Sequence, residues 1–391
     1  MSQIVLVTQL GRSRRVDGKY RPAVYQFDDG SCSDSITFFG WALQQKIKPD
    51  RLVILGTSGS MWDNLFELDL DFGDAFEEER LELQESCLAE KATQAQLDIL
   101  QQPLAEKLGI SEVSLQLIPY CRTEKQQVKL LKTISDQVRE NDEVHLDVTH
   151  GFRHLPMLGL LSALHLSRVR GITVEKIYYG AMDMTAEGKT PVLDLTGLLK
   201  IADWMSALSR YDKDGDYGEF SQLLGEGNEQ LKQAAFFERT TNPIKAKEAL
   251  SGWNSEKGRA ENHSPIAQLF LPELERRVQW YKGQDRADWE RSLAYEYLEK
   301  EDFVRATQYG MEGGISRALK HAGKSLHEYE VRESQRMTLR DQSGEFKKLI
   351  RVRNAFSHGV KPSDKGIKNM ISDPVTLKAT LKSLFKAVLQ R

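Results

Sequence analysis

Residues Glu143–Gly151 read EVHLDVTHG. The stretch through Val148 has the apolar content of a buried strand, and Thr149-His150-Gly151 then makes a small polar turn. A helical pattern follows over Leu155–Ser167 and another strand over Val174–Gly180. Two earlier segments repeat the arrangement. Ile4–Gln9 runs into Thr8-Gln9-Leu10-Gly11, and Arg51–Gly56 (RLVILG) runs into Gly56-Thr57-Ser58-Gly59-Ser60. Pro22–Phe27 and Val113–Pro119 add strands. Ser33–Ile47, the segment from Met61, and Thr123–Arg139 add helices. This βαβα alternation predicts an α/β domain over residues 1–199, with a mostly parallel sheet covered on both faces. Residues 76–108 are charged and helix-prone and read as a helical insertion.

In a parallel sheet the three turns open at the carboxyl edge, where ligands of such folds bind. Glycine lets the backbone approach a guest, and the N-termini of the following helices favour phosphate. None of the turns is a GxGxxG or a Walker loop, so an ordinary dinucleotide or triphosphate site is not expected. The candidate ligand contacts are Thr8, Gln9, Leu10, Gly11, Gly56, Thr57, Ser58, Asp147, Thr149, His150, Gly151, Phe152 and Arg153. The plainer alternative is a set of tight turns with Thr57 or Thr149 as helix caps. His150 and His154 lie four apart with Asp147 nearby, but His150 falls in the turn and no HExxH is present, so no metal is expected.

Beyond Thr196 the pattern changes. Amphipathic helical segments occupy 196–211, 217–236, 266–281, 285–299, 302–322, 325–356 and 374–390. Breaks fall at Asp212–Gly215, Asn242–Pro243, Gly252–Gly258 and Gly359–Asp364, which makes residues 200–391 an all-α domain. Trp280, Tyr281, Trp289, Tyr295 and Tyr297 have the spacing of core residues.

The turn DVTHG after EVHL resembles the CRISPR-associated DxTHG-motif family. VTQLG and ILGTSGSMWDNL are similar to that family's first two sensor loops. The resemblance implies a CARF domain, a Rossmann-like sensor that dimerises and binds a cyclic oligoadenylate, by expectation the tetra-adenylate, across its two-fold axis.

Near the C-terminus, Arg353-Asn354-Ala355-Phe356-Ser357-His358 has the form RNxxxH. Histidine can move protons at neutral pH, and arginine offers a fixed cationic fork to phosphate oxygens. Both suit attack of an RNA 2′-hydroxyl on its neighbouring phosphate, and Asn354 is a candidate orienting residue. The pattern is similar to the RxxxxH motif of HEPN ribonucleases, which are helical domains. Five residues along one helix turn a side chain by about 140° and raise it by about 7.5 Å, so one Arg–His pair converges poorly on one phosphate. A composite site in a homodimer, or a higher oligomer, is therefore expected. The helix should end near Gly359, with Pro362 beyond.

The whole-chain figures set bounds. The net charge is -3, yet residues 311–391 hold 17 Lys and Arg against 8 Asp and Glu. This basic block is either a polyanion surface or a set of solvated helix faces. Cys32, Cys87 and Cys121 are few and widely spaced, which suits a reducing cytoplasm. Met1–Gly11 has no basic n-region, and no run of about 18 apolar residues predicts a membrane span. The expected function is a metal-independent endoribonuclease of single-stranded RNA, without cofactor and activated by cyclic oligoadenylate, in type III CRISPR antiviral defence. The alternatives are a ring nuclease that degrades its own cyclic oligoadenylate, and a non-catalytic, ligand-responsive RNA-binding regulator.

Overall fold

The computed structural model describes residues 2–12, 15–16, 19–66, 70, 72, 75–226, 228–260, 264–358 and 364–390. The chain forms two compact units, Met1–Lys200 and Ile201–Arg391.

The first unit is built on an eight-stranded sheet in the order β5-β4-β10-β9-β8-β1-β6-β7. The strands are β1 (Ile4–Leu10), β4 (Ala23–Gln26), β5 (Cys32–Ile36), β6 (Arg51–Gly56), β7 (Glu112–Leu117), β8 (Glu143–Asp147), β9 (Thr173–Gly180) and β10 (Lys189–Asp194); β2 (Arg15–Val16) and β3 (Lys19–Tyr20) make a separate short hairpin. Strands β9, β8, β1, β6 and β7 are mutually parallel. Strand β10 runs antiparallel to β9, and β5 antiparallel to β4.

Successive side chains of a strand face opposite sides, and the buried residues divide accordingly. Leu6, Leu10, Leu52 and Ile54 join one core with Phe39, Trp41 and Leu43 of helix α1 (Phe39–Ile47). The same core takes Leu83 of α2 (Glu77–Leu88) and Leu97, Leu100 and Leu104 of α3 (Gln94–Leu108). Val5, Val7, Val53, Leu55, Val144 and Leu146 join the other. There they meet Leu130 and Ile134 of α4 (Glu124–Asp136) and Leu155, Leu158 and Ala163 of α5 (His154–Val169). The sheet is thus covered on both faces.

Three details depart from the sequence reading. Cys32–Ile36 is an edge strand and not the start of a helix, because Asp29-Gly30 turns the chain into a hairpin with Gly30 at φ 82 and Phe27 N–H bonded to the Ser31 carbonyl. Asp-Gly is a hairpin signal, so the sequence did carry it. After Met61 the described residues begin with a short 3-10 turn, Trp62–Phe66, which the Trp62 indole pins by donating to the Thr57 carbonyl. Strand β10 escaped notice because Pro191 interrupts it, and proline is tolerated only where no ladder donor is needed.

Among the described residues the second unit is all-helical, consistent with a HEPN-like domain. It comprises α6 (Gly197–Asp214, which crosses from the first unit), α7 (Phe220–Leu224), α8 (Glu229–Arg239), α9 (Pro243–Ala260), α10 (Pro265–Arg277), α11 (Arg286–Glu299), α12 (Phe303–His321), α13 (Tyr329–Gln342), α14 (Gly344–His358), α15 (Lys365–Ile371) and α16 (Pro374–Leu389). Helix α9 runs through the expected break at Gly252–Gly258, and α15 was not expected. The single helix expected over 325–356 is two, because Ser343 is extended and its hydroxyl caps Phe346 N–H. Helix α12 packs closely on α16: a Cβ at Gly310 or Gly314 would lie 2.3 Å from Phe385 or 2.5 Å from Val388. Trp280, Tyr281 and Tyr297 are buried in the core, with Trp289 and Tyr295 packed against it. Among the described residues no helix is long and apolar enough to cross a membrane.

One ion pair spans the start of the parallel sheet. Arg51 of β6 and Asp142, just before β8, meet at 2.6 Å with only 3% and 2% of their side chains exposed. Asp142 also accepts from Arg139 N–H at 2.9 Å. Removing one partner of such a pair strands the other charge. Asp142→Ala should therefore destabilise the first unit by about 3–5 kcal/mol. Native-state hydrogen exchange of the β6 and β8 amides would read this, and a change below about 1 kcal/mol, the range of exposed pairs, would contradict it.

Candidate functional site

Strands β1, β6 and β7 extend the sheet one way, and β8 and β9 extend it the other way from β1. The order reverses between β1 and β8, so the crevice of this fold lies at their carboxyl ends. The turns after β1 and β8 meet there. Asp147, the last residue of β8, is buried and accepts from the Thr8 hydroxyl at 2.5 Å and from Thr149 N–H at 2.8 Å. The Thr149 hydroxyl accepts from Gly180 N–H at 2.7 Å, which ties in the end of β9. Burial pushes the Asp147 carboxyl up to about 6, against the opposing pull of its hydrogen bonds from Thr149 and Thr8. This carboxylate is the knot under the crevice, not a surface contact.

The glycines allow the turns to touch. A Cβ on Gly11 would lie 2.6 Å from the Gly151 nitrogen, and that neighbour is backbone that cannot swing aside. Gly151 has φ 110, a conformation suited to glycine. The second turn joins through Met61 N–H, which donates to the Gly11 carbonyl at 2.9 Å. Within it, Thr57 N–H donates to the Ser60 hydroxyl at 2.9 Å. A Cβ on Gly56 would lie 2.6 Å from the Trp62 ring.

The sequence-selected residues therefore fall into two tiers. Thr8, Gln9, Leu10, Gly11, Gly56, Thr57 and Asp147 are buried and shape the crevice from below. Gly151, Phe152 and Arg153 are exposed, and Ser58, Thr149 and His150 are partly so. Gln9 Nε2 donates to the Leu155 carbonyl at 3.4 Å, while its buried Oε1 has no partner. His150 lies in the turn, before α5 begins at His154. Its Nε2 accepts from Phe39 N–H at 3.3 Å, which fixes the neutral tautomer with the proton on Nδ1. Part of the residue reaches the surface, yet burial of the ring pulls its pKa down to about 4.

Sequence reasoning missed the turn after β7 and the tip of the insertion. Tyr120 stacks near Phe152 at 5.7 Å between centroids, and Arg122 lies over the Tyr120 ring at 5.0 Å. Phe152 in turn faces His154 at 5.9 Å, and His154 Nε2 meets the Tyr120 carbonyl at 3.0 Å. Glu90, between α2 and α3, accepts from Tyr120 and pairs with Arg12 at 2.7 Å. These aromatic faces and guanidinium groups add to the same edge. The turn IPYCRT has no glycine, so nothing marked it. Among the described residues no group of three His, Cys, Asp or Glu is placed to hold a metal ion.

In the second unit, helix α14 buries Phe346, Leu349, Ile350, Val352 and Ala355 and presents its other side. Arg353 is half-buried. Its Nε is buried without a partner, and its terminal nitrogen points at the Met311 sulfur of α12 at 3.6 Å. No carboxylate among the described residues pairs with it. Nearby arginines are otherwise placed: Arg286 and Arg332 hold the buried Glu290 and the half-exposed Glu312, with Ser316 donating to Glu290 at 2.5 Å. Glu312 is thus an ion-pair partner and not a solvated residue. Asn354 and His358 are exposed, and the Ser357 hydroxyl donates to the Arg353 carbonyl at 3.2 Å. The helix reaches His358; Gly359 and Pro362 lie outside the described residues.

The two buried titrating groups of the crevice act in opposite senses. Asp147 titrates higher folded than unfolded, so its contribution is present below about pH 4 and lost as pH rises through about 6. His150 titrates lower folded than unfolded, so its contribution is present above pH 6.5 and lost as pH falls through about 4. The two slopes oppose each other between about pH 4 and 6. Asp147→Asn should make the first unit lose stability as pH falls through this range, and His150→Gln should make it lose stability as pH rises. Urea denaturation across pH 4 to 7 would read both; parallel pH profiles for the two variants would refute the assignment.

Residues 5–183 match the family model described as CRISPR system endoribonuclease Csx1, CARF domain. A curated relative, CRISPR-associated protein MJ1674 of Methanocaldococcus jannaschii, is 23% identical over 294 residues, covering 68% of this chain. The match covers 45% of that relative, so the chain spans about half its length. The match spans β1 to β9 and so contains all three turns and the Asp147 knot, which makes the first unit similar to the CARF domain of that family of CRISPR proteins.

Proposed function

We propose that this protein is an endoribonuclease of single-stranded RNA switched on by a cyclic oligoadenylate bound at the β1–β8 crevice. The observation that carries the reading is Arg353, a guanidinium held half-buried on α14 with no carboxylate to neutralise it. An unpaired, partly desolvated cation is costly unless an anion completes it, and a phosphate oxygen is the matching guest. His358 lies five residues on and is exposed. Cleavage starts when the RNA 2′-hydroxyl loses its proton and attacks the adjacent phosphorus; the 5′-oxygen leaves as it gains a proton. Histidine supplies the proton transfers, and Arg353 stabilises the charge on the phosphorane. Asn354 orients the phosphate or the imidazole. The two key side chains point about 140° apart on one helix, so two copies of α14 around a two-fold axis form the complete site.

The crevice supports a binding role for the first unit. Phosphates meet the free N–H groups after β1 and β8 and the cations Arg12, Arg122 and Arg153, while adenine bases meet Tyr120 and Phe152. A ring-cutting role finds less support, since the Thr8 hydroxyl already donates to Asp147 and the His150 ring nitrogen already accepts from Phe39.

His358→Ala should lower RNA cleavage by about 10²- to 10⁴-fold while leaving activator affinity unchanged. Products should end in 2′,3′-cyclic phosphate and 5′-hydroxyl and form in the presence of EDTA. Gel analysis of end-labelled RNA reads all of this, and full activity in the variant removes His358 from the mechanism. The activator should bind once per two chains by calorimetry. It should raise the single-turnover rate about 5- to 150-fold, the usual span of allosteric coupling, with RNA affinity little altered. A gain confined to RNA affinity would mean that the ligand gates access instead.

A further inference from the structure

The basic C-terminal block is only partly used by Arg353 and His358. Around α14 its charges are ordered. Lys347, Arg351, Asn354 and His358 are spaced four, three and four residues apart, and all four are exposed. On a regular helix they lie within about 60° of one another and extend over about 16 Å. Beside this stripe, α14, α15 and α16 enclose a cleft of about 530 Å³. Its polar lining includes Lys347, Lys348, Arg351, Asn369, Thr376 and Thr380. Asp364 also lines it, and that carboxylate is engaged with Arg351. Lys347 and Lys348 have no carboxylate partner among the described residues. Ile367 and Met370, the apolar lining residues, are buried beneath.

We propose that this stripe and cleft hold the sugar–phosphate backbone of the RNA substrate and lead it to His358. The inference rests on the ribonuclease reading for its substrate and adds where that substrate lies. Two adjacent lysines without carboxylate partners, at the mouth of a polar cleft, suit neighbouring phosphates of one strand. The amide of Asn369 and the hydroxyls of Thr376 and Thr380 are groups that can meet 2′-hydroxyls. A protein partner would call for an exposed apolar anchor, and the cleft wall offers amides and hydroxyls instead. The geometry also separates roles along one helix. Lys347 and Lys348 set how tightly RNA is held, while Arg353, on another side of α14, acts on the reacting phosphate.

The test uses the full chain carrying His358→Ala, so that RNA survives, and a fluorescent single-stranded RNA followed by anisotropy over a salt series. Adding K347E and K348E should weaken binding by about tenfold or more. It should also reduce the slope of log affinity against log salt by about 1.4, the share of two phosphate contacts on a single strand. K129E with K132E, an equal charge change on the exposed side of α4, should leave both quantities unchanged. Equal affinity and slope with and without Lys347 and Lys348, or no RNA binding by the His358→Ala chain, overturns the proposal. Cleavage is scored apart from binding. A wild-type chain that grips RNA through these lysines without cutting it sinks the ribonuclease reading and supports the track. One that cuts with unchanged KM after both reversals sinks the track alone.

Discussion

The Asp147 carboxylate sits beneath the crevice, shut off from water and held by a threonine hydroxyl and a backbone N–H. A buried charge supported by dipoles tolerates little displacement, because each lost hydrogen bond exposes the cost of its desolvation. That constraint sets the distance between β1 and β8 and hence the contact between Gly11 and Gly151. The Thr149 hydroxyl extends it to Gly180 and β9. The exposed surface of the crevice is thus the outer skin of a hydrogen-bonded knot, and the residues at that surface are not those that fix its geometry.

This division explains what could be read from the sequence. The central parallel strands, their polar turns and the change to helices after residue 196 follow from period and composition, whereas the edge strand Cys32–Ile36 and the proline-bearing β10 do not. The three turns also share one edge, because parallel strands end together. The sequence could not show which way each turn residue faces. Small polar residues after a strand, such as Asp147 and Thr8, suggest ligand contacts; their mutual hydrogen bond depends on strand order, which brings residues 139 apart into contact. Tyr120, Arg122 and Glu90 escaped for the opposite reason. Their turns lack glycine, and only folding of the insertion carries Glu90 to Arg12.

The second unit shows the same limit in another form. Arg353 and His358 were found by spacing, and α14 does carry both. The meaning of Arg353 comes from its surroundings: a methionine sulfur, where Arg286 and Arg332 of the same unit have carboxylates. Sequence lists 54 Lys and Arg without saying which are neutralised. Glu312 makes the point from the other side, since Arg332 and Arg286 both reach it.

On the proposed reading, helix α14 explains how the enzyme can be silent without its activator. Its buried side fixes Arg353 against α12, and its exposed stripe carries His358 about 140° away. Neither group needs to change conformation for chemistry; what a single chain lacks is convergence of the two. On the proposed reading that convergence depends on the relation between two copies of α14, a quantity that a small rotation alters strongly because both groups are rigidly mounted. A ligand that favours one relation over the other by only about 1–3 kcal/mol can therefore act as a switch. On the same reading the cost of an unpaired guanidinium becomes useful: it keeps an anion-binding group ready, to be completed when a phosphate and a second copy's histidine arrive together.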